Sequence, residues 1–184
     1  MINKDKAEKK DQQKQGGKPP RKMSEYGRQL SEKQKVKLMY GVRERQFRRF
    51  FEVAVQTPGA PGENLLSILE RRLDNVLYRL KMATSRVQAR QLIVHGHILV
   101  NGKRVSSPSY QVSIGDDVTI NPKMLEHKAF MENIIEKRLK LGIKIPDWLE
   151  LDKKTYTGRM LRNPVRTDLQ VPIEDYLIVE LYSK

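Results

Sequence analysis

Apolar residues recur every three or four positions through the first part of the chain, which is the spacing of amphipathic helices. One run starts at Ser31, which stands three residues before Gln34 as in a capping box, and Gly41 is placed to end or bend it. Another run, from Glu44 to Gln56, gathers its aromatic residues on one side. The apolar positions of these runs are Val36, Met39 and Tyr40, then Phe47, Phe50, Phe51 and Ala54. The pattern predicts two helices.

Two more helices are predicted after a loop rich in proline and glycine at residues 57–62. We expect Asn64 to cap a long helix, and Ser85 with Gln88 to open a shorter one that Gly96 ends. The candidate core positions are Leu65, Leu69, Leu73, Val76, Leu77 and Leu80 in the long helix, and Val87, Leu92 and Ile93 in the short one. Each helix would thus bury one face.

A hairpin follows the shorter helix. The pair Asn101-Gly102 separates two short runs at 98–100 and 103–105. A type I′ turn needs positive φ at both central residues, which asparagine and glycine adopt most readily. This is the strongest short-range signal for a β-hairpin.

The rest of the chain predicts mixed elements. Gly115 and Asp116 indicate a turn before a strand at 118–120, and residues 123–141 have the pattern of an amphipathic helix. Its inward positions would be Met131, Ile134, Ile135 and Leu139. The apolar segment 177–182 is too short and too apolar to stay exposed, so we expect it to dock on the helical part.

Charge narrows the choice of partner. The chain has 36 Lys and Arg against 22 Asp and Glu, a formal net charge of +14. Residues 1–50 hold 16 basic and 6 acidic side chains, and residues 71–120 hold 8 and 3. The basic surface thus belongs to the N-terminal part and to the centre, and a polyanion is the expected partner.

Several classes of protein are excluded by residues that the chain lacks. It has no cysteine, which removes disulfides, thiolate zinc sites and cysteine nucleophiles. No apolar run approaches the ~20 residues of a membrane span, and the lysine-rich start does not fit a signal peptide. We therefore expect a soluble cytosolic protein without a membrane partner.

Residues 1–22 contain almost nothing that a core could bury. Such a segment is predicted to be a disordered tail in water. Two interpretations stay open for it: a solubilising extension, or a basic arm that becomes ordered on RNA.

The residues offer little catalytic or metal-binding chemistry. His95 and His97 have the spacing of two ligands, but no third ligand stands near, and they serve RNA phosphate or base stacking equally well. Asp116 and Asp117 fit a turn better than a catalytic pair. The glycine-rich segments lack the residues of a phosphate-binding loop. No metal, cofactor or small-molecule substrate is predicted.

One enzymatic hypothesis comes from the segment 71–74, Arg-Arg-Leu-Asp, which is similar to the catalytic segment of pseudouridine synthases. Leu73, however, continues the leucine spacing of the long helix, which places Asp74 in mid-helix as a surface or capping carboxylate. Too little chain remains for a catalytic domain, so we expect no enzyme.

RNA binding fits the basic residues better. Those expected on the exposed outer faces of the predicted short elements are Arg72, Arg79, Arg86, Arg90, Lys103 and Arg104. The helix start at Ser85 adds backbone N–H groups for phosphate. Arg45, Arg48 and Arg49 are either a solvated basic face or phosphate contacts, and the local excess of arginine favours phosphate. Because the major groove of an RNA helix is narrow, recognition of a folded junction by its shape is expected.

These residues resemble a known family. The segment 72–105 is similar to the RNA-binding module named after the fourth protein of the small ribosomal subunit. Motifs of that ribosomal protein in its bacterial or organellar form continue on both sides, over residues 23–184. They are Ser-Glu-Tyr-Gly at 24–27, Glu-Lys-Gln-Lys-Val at 32–36, Tyr-Gly-Val at 40–42, Glu-Arg-Gln-Phe-Arg at 44–48, Gly-Glu-Asn-Leu-Leu at 62–66, Trp-Leu-Glu at 148–150 and the segment 177–183.

The resemblance implies an α+β fold, with a small α/β module of two helices and a short antiparallel sheet inserted into a mainly helical domain. The expected division is a tail at 1–22, a helical domain at 23–71 completed by a returning C-terminal strand within 142–184, and the RNA-binding module with its following helix at 72–141.

The resemblance also implies a role. The family binds the five-prime domain of small-subunit ribosomal RNA at a multi-helix junction and nucleates assembly of the subunit. It contacts small-subunit protein five, and lies near protein three where messenger RNA enters the subunit. The residues that would touch the message here are Lys18, Arg21 and Lys22.

One feature departs from the family. Its members carry a further N-terminal segment, often with a four-cysteine zinc knuckle, where this chain has a Lys- and Gln-rich tail without cysteine. Either charge alone replaces that segment, or the chain is a shortened variant. The alternative function is a dissociable ribosome-associated factor that shares the same RNA-binding module.

Overall fold

The computed structural model describes residues 23–136, 138, 144–169 and 172–183. The helices are α1 (Glu25–Tyr40), α2 (Glu44–Gln56), α3 (Pro61–Glu70), α4 (Leu73–Arg79), α5 (Arg86–Val94), α6 (Pro122–Leu125), α7 (Lys128–Phe130) and α8 (Asp175–Tyr182). The strands are β1 (Ile98–Val100), β2 (Lys103–Arg104), β3 (Asp117–Ile120), β4 (Leu149–Asp152) and β5 (Thr157–Met160). Short π and 3₁₀ segments lie at Met131–Glu136 and Arg166–Asp168. The predicted α+β class is confirmed.

Helix α1 begins earlier than the capping-box pattern predicted. Its N-cap is Ser24, whose Oγ accepts a hydrogen bond from the Gly27 amide at 3.2 Å, so the predicted cap at Ser31 is wrong. Gly41 ends the helix as predicted, in the left-handed region at φ 58°. Helix α2 has the predicted bounds. The aromatic spacing that predicted the helix also matches the side chains that it buries. Phe47, Phe51 and Ala54 are buried on its inner face.

The predicted long helix is two helices. The chain is extended at Arg72, which forms an isolated bridge with Gln111 and is the N-cap of α4. Asn64 lies inside α3 rather than at its cap. Its side-chain amide Nδ2 instead donates to the carbonyls of Ala54, Thr57 and Pro58 at 3.1, 2.9 and 3.3 Å. These bonds connect the end of α2 to α3.

Helix α5 confirms the predicted cap. Ser85 Oγ accepts from the Gln88 amide at 3.2 Å, and the Gln88 side chain accepts from the Thr84 amide at 2.6 Å. Leu92 and Ile93 are buried, but Val87 is 66% exposed, so its assignment to the core is wrong.

The sheet is antiparallel throughout, in the order β2-β1-β3-β5-β4. The predicted hairpin turn is confirmed, with φ 50° at Asn101 and 75° at Gly102. The predicted strand after Asp116 is β3, whereas β4 and β5 were not predicted. Gly158 of β5 lies against the helical layer, where a Cβ would stand 2.2 Å from Leu80 Cδ1, so any larger residue would have to displace the buried Leu80 side chain.

The predicted helix over 123–141 is broken into α6, α7 and the π segment. Ile135 is buried and Met131 packs on the core, as predicted. The inward positions predicted for the Ile134 side chain and for Leu139 fall outside the described residues.

The end of the chain docks on the helical part as predicted, but as the helix α8 and not as a strand. Glu180 of α8 accepts from the Gln29 amide of α1 at 3.1 Å. Tyr182 stacks on Phe51 with 4.5 Å between ring centroids. Helical spacing places Ile178 and Tyr182 one turn apart on the face that packs on the helical core.

Two groups of buried side chains form the interior. One contains residues of α1, α2, α3 and α8, and the other lies between α4, α5 and the sheet. Residues 149–160, within the C-terminal segment, extend the sheet and pack with the second group. Among the described residues, no helix combines the length and the hydropathy that crossing a bilayer requires.

Candidate nucleic-acid interface

Three arginines of α2 lie on the face opposite its buried aromatic side. We call Arg45, Arg48 and Arg49 the helix-2 surface; all three side chains are exposed. Arg48 lies 3.8 Å from Glu52, an exposed pair that contributes little to stability. Their positive charge is therefore available to a polyanion.

A second basic surface lies where the hairpin meets the end of α5. We call His95, His97, Lys103 and Arg104 the hairpin surface; all are exposed except His97, which is half-buried. Arg104 donates to the carbonyl of His95 at 3.3 Å, and the two imidazole rings lie 6.1 Å apart. The tight turn at Gly96 (φ 76°) permits this contact, since a Cβ there would stand 1.8 Å from Arg104 Nε.

The N-terminus of α5 is more occupied than predicted. Ser85 is exposed, but its hydroxyl already accepts the Gln88 amide. Phosphate reaching this helix would therefore meet the remaining first-turn amides and not an uncommitted hydroxyl.

Arg72 and Arg90 both bind an internal carboxylate, Arg72 as a buried side chain and Arg90 as a partly exposed one. Arg72 is 3% exposed and pairs with Asp74 through Nε–Oδ1 at 3.0 Å and Nη2–Oδ2 at 2.7 Å. Arg90 Nε donates to the same Asp74 at 2.7 Å, and its Nη2 donates to the Tyr40 carbonyl. The predicted outward position of Arg72 is wrong, and so is the surface position of Asp74, which is 1% exposed in the first turn of α4.

Arg79 is also internal, so its predicted outward position is wrong. Its Nη2 and Nε donate to the buried carboxylate of Glu70 at 2.7 and 3.0 Å. Asn75 and the hydroxyl of Tyr40 donate to Glu70 as well, at 2.8 and 2.6 Å. Burial would lower the pKa of Arg79, but its hydrogen bonds and attraction to Glu70 outweigh that effect and raise it.

Arg86 lies half-buried between two tyrosine rings, which corrects the expectation that it is exposed. Its guanidinium carbon is 5.1 Å from the ring centroid of Tyr40 and 4.6 Å from that of Tyr78, and Nε donates to Asn75 at 2.8 Å. Burial, followed by repulsion from Arg79, lowers the pKa of Arg86. Together these groups link the end of α1 to α3, α4 and α5.

Removing the Tyr40 hydroxyl tests this internal network. Tyr40→Phe is expected to lower the free energy of unfolding by about 1.5–3 kcal/mol, the usual contribution of a hydrogen bond to a charged group. Burial, the charge of Glu70 and the hydrogen bond to it raise the pKa of Tyr40, so the hydroxyl stays a donor. Tyr176→Phe, which removes an exposed contact with Glu174 at 3.3 Å, is the control for urea denaturation. Equal losses in the two variants would contradict the assignment.

A cleft that no local sequence pattern indicated lies between α2, α3 and the loop at 109–111. It has a volume of about 540 Å³ and is lined by Arg49, Arg71 and Phe50, among others. Because its lining comes from separate segments, only the tertiary structure brings it together.

Some predicted features lie outside the described residues or have no counterpart within them. Lys18, Arg21 and Lys22 lie outside the described residues. Within the described part of the chain, no three His, Asp or Glu side chains converge as metal ligands would.

Comparisons with known proteins decide the family. Residues 1–70 match the model of the ribosomal protein S4/S9 N-terminal domain, and residues 71–118 match that of the S4 domain. The small ribosomal subunit protein uS4 of Natranaerobius thermophilus is 50% identical over 163 residues, which cover 89% of this chain and 77% of that protein. The chain belongs to the small ribosomal subunit protein uS4 family.

Other members of the uS4 family are similar to the chain to the same degree. The protein of Caldicellulosiruptor saccharolyticus is 52% identical over 170 residues, 92% of this chain and 80% of that protein. The protein of Leptospira biflexa is 50% identical over 171 residues, 91% and 80% of the two chains. The family resemblance inferred from the motifs is confirmed, and the helix-2 and hairpin surfaces lie in the two matched domains of uS4.

Proposed function

We propose that the chain binds the five-prime domain of small-subunit ribosomal RNA at a multi-helix junction and nucleates subunit assembly there. The observation that carries this is membership of the uS4 family over most of the chain. As a member, the chain is a structural ribosomal protein that binds ribosomal RNA; it is not an enzyme, and it acts in the cytoplasmic ribosome.

The helix-2 surface and the hairpin surface are the proposed RNA contacts. They are exposed, basic and carried on elements fixed by buried side chains, which suits recognition of phosphate positions on a folded RNA. Arg86, at the start of α5, and Arg90, one turn further along, are each partly exposed and would contribute at that edge. Arg72 and Arg79 would act indirectly, by fixing α3, α4 and α5 relative to each other.

The domain division is also part of the proposal. The helices α1, α2, α3 and α8 would form one half, and α4, α5 and the sheet the RNA-binding module. This differs from the expected division in one respect, since residues 149–160, expected in the helical domain, belong to the sheet. Proteins five and three of the small subunit, and messenger RNA where it enters, are proposed partners. Lys18, Arg21 and Lys22 are the residues proposed to touch the message.

Sedimentation distinguishes a structural protein from a dissociable factor. We expect the full chain to remain with small subunits at about one copy each after washing in high salt. Salt weakens the phosphate contacts, but release from an assembled subunit also requires contacts with folded RNA and neighbouring proteins to open, which slows dissociation. The measurement is quantitative mass spectrometry of washed subunits, with a resident ribosomal protein as the reference. Loss of the chain in the wash, while the reference stays, would support the factor and contradict the proposal.

A further inference from the structure

The cleft between α2, α3 and the loop at 109–111 has the chemistry of an anion site. Two arginines, Arg49 and Arg71, line it together with neutral polar side chains, and none of its lining residues is a carboxylate. Arg71 is fixed there because its Nε donates to the Val112 carbonyl at 3.0 Å. Arg49 is exposed and forms no ion pair in the described part of the chain.

One buried polar group that lines the cleft lacks a partner. The Gln111 side chain lines the cleft, and its buried Nε2 has no hydrogen-bond acceptor among the described residues. Buried donors of this kind are costly unless a ligand or water satisfies them, so the cleft favours an occupant with acceptor atoms.

The apolar part of the cleft favours a ring. Phe50, Val53 and Ile68 line it beside the arginines. A volume of about 540 Å³ falls in the range of about 300–1,000 Å³ that is usual for small-ligand sites. An RNA base that is splayed out of its helix typically stacks on an aromatic ring or a guanidinium and forms hydrogen bonds through its edge.

We propose that this cleft receives a single nucleotide splayed out of the ribosomal RNA. Its phosphate lies between Arg49 and Arg71, its base lies against Phe50, and the Gln111 amide donates to an acceptor on the base edge. This inference rests on the proposed RNA-binding function. It adds a site that reads one nucleotide to surfaces that otherwise contact the backbone.

Chemical probing of the complex tests the site. Full-length chain is bound to a five-prime-domain RNA fragment, and the reactivity of each nucleotide is measured with dimethyl sulfate and a ribose-acylating reagent. We compare Ser67→Phe, which fills the cleft, and Arg71→Gln and Arg49→Gln, which remove its charge. In each variant, one nucleotide or two adjacent ones should return to the reactivity of free RNA while the rest of the footprint is kept.

The affinity of these variants for the RNA fragment should fall by roughly 5- to 150-fold, which corresponds to the loss of one base stacked on an aromatic ring. Two control variants change residues that do not line the cleft. Arg28→Gln removes an exposed arginine elsewhere, and Val55→Phe adds a ring on the far side of α2. Thermal unfolding of each variant confirms that it is folded.

The outcomes separate the two proposals. If the unmodified chain does not bind the RNA, the proposed function fails. If it binds and all cleft variants keep the complete footprint, the inference about the cleft is wrong. Titration of the protein alone with the four nucleoside monophosphates distinguishes the source of the nucleotide: micromolar binding of a free nucleotide would overturn the assignment to ribosomal RNA, and its absence supports that assignment.

Discussion

Replacing Asp74 by alanine is expected to lower the free energy of unfolding by about 3–5 kcal/mol, the usual cost of removing one partner from a buried ion pair. The carboxylate of Asp74 is 1% exposed and accepts hydrogen bonds from both Arg72 and Arg90. Without it, the guanidinium of Arg72, 3% exposed, is left in the interior with no anion. The cost arises mainly from that uncompensated charge.

Asp117→Ala is a matched control for this experiment. Asp117 forms the same two-pronged contact with Arg159, at 2.7 and 2.8 Å, but the two side chains are 35% and 56% exposed. Water and salt screen such a pair, so its loss should cost about 0–1 kcal/mol. Chemical denaturation with both variants gives the comparison, and a loss of stability at Asp74 as small as that at Asp117 would contradict the argument.

The expected change in melting temperature is correspondingly large. For a chain of this length, about 1 kcal/mol corresponds to roughly 2–4 °C, so Asp74→Ala should melt roughly 6–20 °C below the unmodified protein. Any loss of RNA affinity in this variant would then follow from loss of structure. The RNA affinity of this variant should then fall at 37 °C and recover at a lower temperature, where the variant is folded.

The second large effect concerns salt. The affinity for a five-prime-domain RNA fragment should fall about 10³- to 10⁵-fold between 50 and 200 mM salt if about six to ten phosphates are neutralised, because binding releases the counterions condensed on the RNA. Filter binding at several salt concentrations measures the slope of log affinity against log salt. A flat response would contradict phosphate-dominated binding.

The hairpin surface should account for part of that slope. Lys103→Gln combined with Arg104→Gln removes two exposed cations and should reduce the slope by about two, since each lost phosphate contact reduces it by about one. The control Arg28→Gln with Lys144→Gln lowers the net charge by the same amount at two exposed cations that belong to neither basic surface. Equal changes of slope in the two double variants would show that net charge alone matters.

Local sequence patterns predicted the elements whose stability depends on near neighbours. The bounds of α2, the cap of α5 at Ser85 and the hairpin turn at Asn101-Gly102 were all confirmed. In each case the decisive interaction spans at most a few residues, so composition and spacing suffice. The pattern failed at Arg72, where a bridge to Gln111 breaks the leucine periodicity of a predicted long helix.

The last segment illustrates the same limit. Its apolar composition fits a buried strand or a buried helix, and a short apolar run does not distinguish them. The layer formed by α1 and α3 accepts a helix there, with Tyr182 stacked on Phe51. Its docking was therefore predictable, whereas its secondary structure was not.

The basic residues show most clearly what each level determines. The sequence by itself determined the positive charge, the hairpin, the helical periodicity and the family motifs, because these depend on composition and local spacing. Only the tertiary structure decided that Arg72 and Arg79 face Asp74 and Glu70 inside the protein, while Arg49 and Arg104 remain exposed. The physical reason is that a charge is accessible to RNA only where the fold leaves it exposed. Asp74 stands two residues from Arg72, but only the packing of other elements buries this pair, and Glu70 reaches Arg79 only because α3 and α4 lie against each other.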